Sequence, residues 1–175
     1  MRNIVAFIVI LLLPVSAFAQ TEKPPELSSY IQAPSPYGQG TLTKLWIHAY
    51  DATLWTDARV WSMNEPFALS LRYGTDFDRG ELVSRSIDEM QHSGALSKDK
   101  IVYYTQQLDA IFPNVNEGDV ITALYLPGEG TRFFYNGKPA GNIGDMELAQ
   151  RFINIWLSPQ TSEPKLRETL LGTHS

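Results

Sequence analysis

Ile155-Trp156-Leu157-Ser158-Pro159-Gln160-Thr161-Ser162-Glu163-Pro164-Lys165-Leu166-Arg167-Glu168-Thr169-Leu170-Leu171-Gly172 reads as the end of one amphipathic helix, a hard break and a second, shorter helix. Upstream, Leu148, Phe152, Ile155 and Trp156 recur at helical spacing behind Asp145, whose side chain suits an N-cap. Ser158-Pro159 ends that helix, because proline lacks the amide donor and drives the residue before it out of helical geometry. Ser162-Glu163-Pro164 starts the next, Leu166, Leu170 and Leu171 give its apolar stripe, and Gly172 stops it. Two consecutive amphipathic helices need an apolar surface to cover, and the rest of the chain must supply it.

That surface is readable as a sheet. After Gly38-Gln39-Gly40, residues 42–55 are strand-like and long enough for two strands with a bend, Asp51 lying near the middle. Residues 60–64 and 67–73 read as further strands; in the second, Phe67, Leu69, Leu71 and Tyr73 alternate with Ala68, Ser70 and Arg72. Leu82, Val83, Ile87 and Met90 then mark a helix ended by Gly94, and Ser97 caps another carrying Ile101, Tyr104, Leu108 and Ile111. Gly118-Asp119 turns into a strand over 120–126, Pro127 to Gly130 turns back into 131–135, and Asn136-Gly137 is a strong hairpin signal before a short strand at 138–140. Strands, two helices, hairpins and two helices predict an α+β fold, an open-faced β-sandwich in which a large antiparallel sheet is covered on one face by helices.

The first 19 residues pair a charged Arg2 with an apolar run from Ile4 to Leu13 and a small-x-small site at Ala17-Phe18-Ala19. They are expected to be a signal peptide, too short in its apolar core to span a bilayer, that sends the chain to a bacterial periplasm or outside the cell. Residues 20–37, with Pro24, Pro25, Pro34 and Pro36, read as an extended lead-in holding at most one edge strand, and 38–175 as one domain. Of 14 basic residues only Arg2 precedes Gln20, which leaves 13 against 19 acidic residues and a net charge of −6. With no basic run, neither nucleic acid nor stable membrane insertion after cleavage is expected. The absence of cysteine removes disulfides, thiol catalysis and thiolate metal sites.

Neither a metal site nor a cofactor is expected: the three histidines, His48, His92 and His174, have no metal-ligand spacing, and Gly38-x-Gly40 precedes a strand, not a helix. There is no nucleophile elbow, and Asp51 and Asp57 sit where aspartate commonly forms turns. Simple alternation puts Trp46, His48 and Tyr50 on one strand face, either as the wall of an apolar cleft or as a half-buried aromatic ladder. Arg72 and Arg85 are the arginines nearest predicted buried surface; each suits an anionic headgroup or an ion pair, and Glu89 is placed to pair with Arg85. Tyr104 fits its helix's apolar stripe, whereas the adjacent Tyr103 points about 100° away.

In order and spacing, Gly38-x-Gly40, Tyr50-Asp51-Ala52-x-Leu54, Leu69-x-Leu71-x-Tyr73, Phe112-Pro113, Gly118-Asp119 and Asn136-Gly137-Lys138 precede the closing helices. Together they resemble the chalcone isomerase-like family, as its exported bacterial members carry them. The resemblance implies a ligand cleft between sheet and helices. It also implies, in the family's plant enzymes, an arginine near the glycine-rich turn, a strand threonine, and a helical tyrosine and asparagine. Here Thr41, Leu42 and Thr43 follow Gly40, His48 stands at the threonine position, and Asp78 and Arg85 fall near the helical pair. Relatives that bind fatty acids use an arginine and a tyrosine on the carboxylate; His48 stands near that tyrosine's place. The expectation is therefore a non-catalytic binder of a small apolar or amphipathic ligand such as a fatty acid. Its site would draw on Trp46, His48, Tyr50, Arg72, Arg85 and Tyr104. An isomerase or lyase with His48 as acid–base, and a protein-interaction module without a pocket, are the alternatives.

Overall fold

Polar residues ahead of three apolar-periodic stretches each start a helix in the computed structural model, which describes residues 22–172. Glu81 reaches back to the amide of Asp78 (3.1 Å), opening α1 (Arg79–His92). The Ser97 hydroxyl accepts from Lys100 N–H at 3.3 Å and opens α2 (Lys98–Asp109). Asp145 accepts from the amides of Glu147 and Leu148 and opens α3 (Met146–Leu157). Pro164 begins α4 (Pro164–Leu171), and Gly172, at φ 65°, supplies the left-handed residue that ends it.

Six strands form one antiparallel sheet in chain order: β1 (Ser35–Lys44), β2 (Ile47–Thr56), β3 (Phe67–Tyr73), β4 (Val120–Leu126), β5 (Gly130–Tyr135) and β6 (Lys138–Ile143). The strand expected over 138–140 runs three residues further, to Ile143. Residues 60–64 are not a strand. β2 pairs directly with β3 on one side and with β1 on the other, so the loop between β2 and β3 finds no ladder beside it, and Val60 points into solvent. The helices cover one face of the sheet, here the front, as an open-faced α+β sandwich. Leu69, Tyr125 and Phe133 meet Leu108, Phe152 and Leu170 there in the main core.

The lead-in does more than extend. Pro25–Ser29 forms a 3₁₀ turn, and Leu27 and Ile31 bury themselves on the back face against Trp55, Ala68, Leu124 and Phe134. Trp55, uncharged and fully buried there, donates its indole proton to Ser70 Oγ at 2.7 Å. Both faces of the sheet therefore carry an apolar core, a large one under the helices and a small one under the lead-in. The segment read as a signal peptide lies outside the described residues.

Candidate functional site

A bulge decides which side chains reach the front face. Leu42 pairs with Tyr50 and Thr43 with His48, so Ala49 is an extra residue on β2. One inserted residue reverses the alternation on either side of it. Beyond the bulge Tyr50, Ala52 and Leu54 join the main core, while Asp51, Thr53 and Trp55 face back. Before it, His48 belongs with the back-face set, its Nε2 standing 3.1 Å from Asp51 Oδ1, which also accepts from Thr41 Oγ1.

Between the front face, α1, α3 and the segment entering α4 lies a cavity of about 470 Å³, inside the range of roughly 300–1,000 Å³ usual for small-ligand sites. Leu69 and Leu71 of β3, Ile121 and Ala123 of β4, Phe112 and Phe152 make its buried apolar floor. The charged lining residues, Lys44, Arg85, Asp88, Glu89 and Glu163, are all exposed or half-buried, which confines charge to the rim. Floor and rim together give the cavity an amphipathic lining.

Tyr50 stands between the two zones. Its hydroxyl accepts the Trp156 indole proton at 2.9 Å, and its ring meets Tyr73 edge-on at 6.2 Å. Burial pushes the Tyr50 hydroxyl well above the ordinary phenol range, and the nearby Glu163 and Glu89 raise it further. Tyr73 is raised likewise, by burial first and then by Tyr50. Both are neutral phenols at physiological pH. Because Trp156 takes an acceptor position on Tyr50 and no described residue takes its proton, Tyr50 remains a hydrogen-bond donor.

The rim carboxylates are engaged by other groups. Ser162 Oγ donates to Glu89 at 2.6 Å, and Lys44 pairs with Glu163. Glu89 therefore does not serve as the partner that spacing offered Arg85. Arg85 instead holds its guanidinium over the Phe77 ring, 5.9 Å from the centroid, with no carboxylate partner among the described residues.

Of the six residues expected at the site, Tyr50 and Arg85 line the cavity together. Trp46 falls in the β1–β2 turn, almost wholly exposed, because β2 begins one residue later. His48 is turned away by the bulge, so the aromatic row of Trp46, His48 and Tyr50 does not exist. Arg72 faces back, donating from Nη1 to the Gly118 carbonyl at 3.1 Å. Tyr104 is buried in the main core without lining the cavity. The sequence reading missed Trp156 as the partner that orients Tyr50; it looked like one more core position of α3. It also missed the floor, although the alternation through Phe67, Leu69, Leu71 and Tyr73 already singled out that strand face.

An antiparallel sheet roofed by helices over an apolar cavity defines an open-faced α+β sandwich. The profile of the chalcone isomerase-like family matches residues 36–172, and the chain belongs to that family. An uncharacterized protein of Haemophilus influenzae is 27% identical over 138 residues, covering 78% of this chain and 67% of that one. Among solved structures, the Arabidopsis thaliana fatty-acid binding protein AtFAP1 superposes with a TM-score of 0.58, covering 79% of this chain and 86% of that one. At 11% identity, this likeness establishes the shared fold.

Proposed function

We propose that the protein binds a fatty acid or similar single-chain amphiphile in the front-face cavity and performs no chemistry on it. One observation carries the reading: an apolar floor closed by a charged rim on which Arg85 has no carboxylate partner among the described residues. The acyl chain would lie on Leu69, Leu71, Ile121 and Ala123, each buried methylene contributing about 0.8 kcal/mol. The carboxylate would meet the Arg85 guanidinium and the proton of Tyr50. That a fold neighbour is a fatty-acid binding protein agrees with this. The position of His48 on the opposite face, bonded to Asp51, favours binding over acid–base catalysis in the cavity. The cavity itself weighs against an interaction module without a pocket. Export to a periplasm is part of the proposal and rests on residues 1–19; cell fractionation tests it.

Displacement of a fluorescent fatty acid by palmitate tests the binding. Arg85→Gln is expected to weaken palmitate about tenfold, the scale of one lost charge-assisted hydrogen bond, while methyl palmitate, which has no charge to lose, binds parent and variant alike. Absence of palmitate binding to the parent protein would overturn the proposal.

A further inference from the structure

The β1–β2 turn is built against its own backbone preference. Its two central residues, Leu45 and Trp46, have φ of 48° and 70°. Positive φ at both positions is the mark of a type I′ turn, for which Asn-Gly is favoured and bulky residues are not. The same molecule makes that turn in the favoured way between β5 and β6, where Asn136 and Gly137 adopt 48° and 77°. Strain kept at one site and relieved at another points to a role for the side chains displayed there.

Those side chains form an apolar tip. Leu45, Trp46 and Ile47 are 88%, 97% and 55% exposed, and no other run of consecutive large apolar residues is so exposed among the described ones. Leu45 and Ile47 also line the cavity, so the tip is continuous with its entrance. We propose that the tip inserts into the interfacial layer of a lipid bilayer and seats the cavity mouth on the membrane that supplies its ligand. This rests on the lipid-binding reading above.

A bilayer fits the tip better than a protein partner. A two-residue turn offers far less than the roughly 800 Å² per side of a stable protein interface. Tryptophan, apolar in body with a polar indole N–H, is suited to the headgroup boundary. The two-residue loop fixes Trp46 outward, so little ordering accompanies insertion. Charge selects the lipid: from Gln20 onward the net charge is −6 (13 basic against 19 acidic residues) and Lys44, beside the tip, already pairs with Glu163, which favours a zwitterionic surface over an anionic one.

Flotation with phosphatidylcholine–phosphatidylethanolamine vesicles tests this. The parent protein is expected to float with the vesicles, and Trp46→Gly to lose at least about tenfold in partitioning. Glycine suits the turn, so the variant should fold, and its affinity for palmitate in vesicle-free buffer should not change. Trp46→Phe, which keeps the apolar tip, should keep most of the flotation. Equal flotation of parent and Trp46→Gly, or none by the parent, would overturn the proposal. So would a dimer in gel filtration that Trp46→Gly dissolves, since the tip would then serve self-association. Failure of palmitate to bind in vesicle-free buffer would instead strike the cavity reading, which flotation does not use.

Discussion

Asp119 gathers more hydrogen bonds than any other carboxylate among the described residues. It accepts from the Asn116 amide at 2.7 Å, the Tyr135 hydroxyl at 2.7 Å and Asn136 Nδ2 at 2.8 Å, and its carbonyl accepts from Tyr73 N–H. These bonds, that from the Asn116 backbone foremost, hold its carboxyl down to about 2 from an ordinary 3.8. A lowered folded-state value means the stabilisation is complete above about pH 4 and is lost as pH falls through about 2. Asp119→Asn is expected to cost about 1–2 kcal/mol at pH 7, after allowance for solvent screening. The deficit relative to the parent should shrink toward pH 2; urea unfolding at several pH values measures it. Elsewhere single residues were what sequence concealed. Ala49 looks like any strand residue, yet as a bulge it sends His48 and Tyr50 to opposite faces. No local propensity distinguishes a bulged alanine from a paired one, so the row of Trp46, His48 and Tyr50 was legible in spacing and false in space. Arg85 could be placed beside the cavity because Leu82, Val83, Ile87 and Met90 fix the phase of its helix, whereas Tyr50 came into view only through the false row.

At the scale of elements, the glycines of β1 explain how the closing helix docks. A Cβ on Gly38 would run into the carbonyl oxygens of Thr169 and Leu170, and one on Gly40 into the side chains of Thr169 and Leu166. α4 thus rests directly on strand backbone, which only glycine permits. Gly38→Ala is expected to destabilise the protein by about 1–3 kcal/mol through overpacking, read as a lower midpoint in thermal unfolding. Most elements were legible for plain reasons. Asp145, Ser97 and Gly172 cap where capping chemistry says they should, and the Phe67–Tyr73 alternation separates a core face from a back face. Residues 60–64 misled because β-branched and aromatic composition cannot reveal whether a ladder is free to receive a strand. Trp61 packs edge-on against Phe67 at 5.6 Å and needs no strand to do so.

Across the whole molecule, the helix-covered sheet followed from the order of elements, but the second core did not. Leu27 and Ile31 sit in a proline-rich stretch without periodicity, and only contact with Trp55 and Leu124 gives them a role. The sheet's simple order has a kinetic consequence. Each of its strands neighbours the next in the chain, so four of the five pairings join strands linked by short connections. The pairing of β3 with β4 is the exception, since α1 and α2 intervene. Closing that long connection carries the largest entropic penalty of the sheet, and the transition state for folding should contain it. Leu124→Ala, at a fully buried β4 position, is therefore expected to slow refolding, whereas Ile143→Val in β6 should mainly hasten unfolding. Stopped-flow chevrons decide it, and equal effects on refolding would refute the assignment. On this view α1, whose Leu82, Arg85 and Glu89 line the cavity, lies together with α2 in the segment whose enclosure sets the pace at which the protein becomes itself.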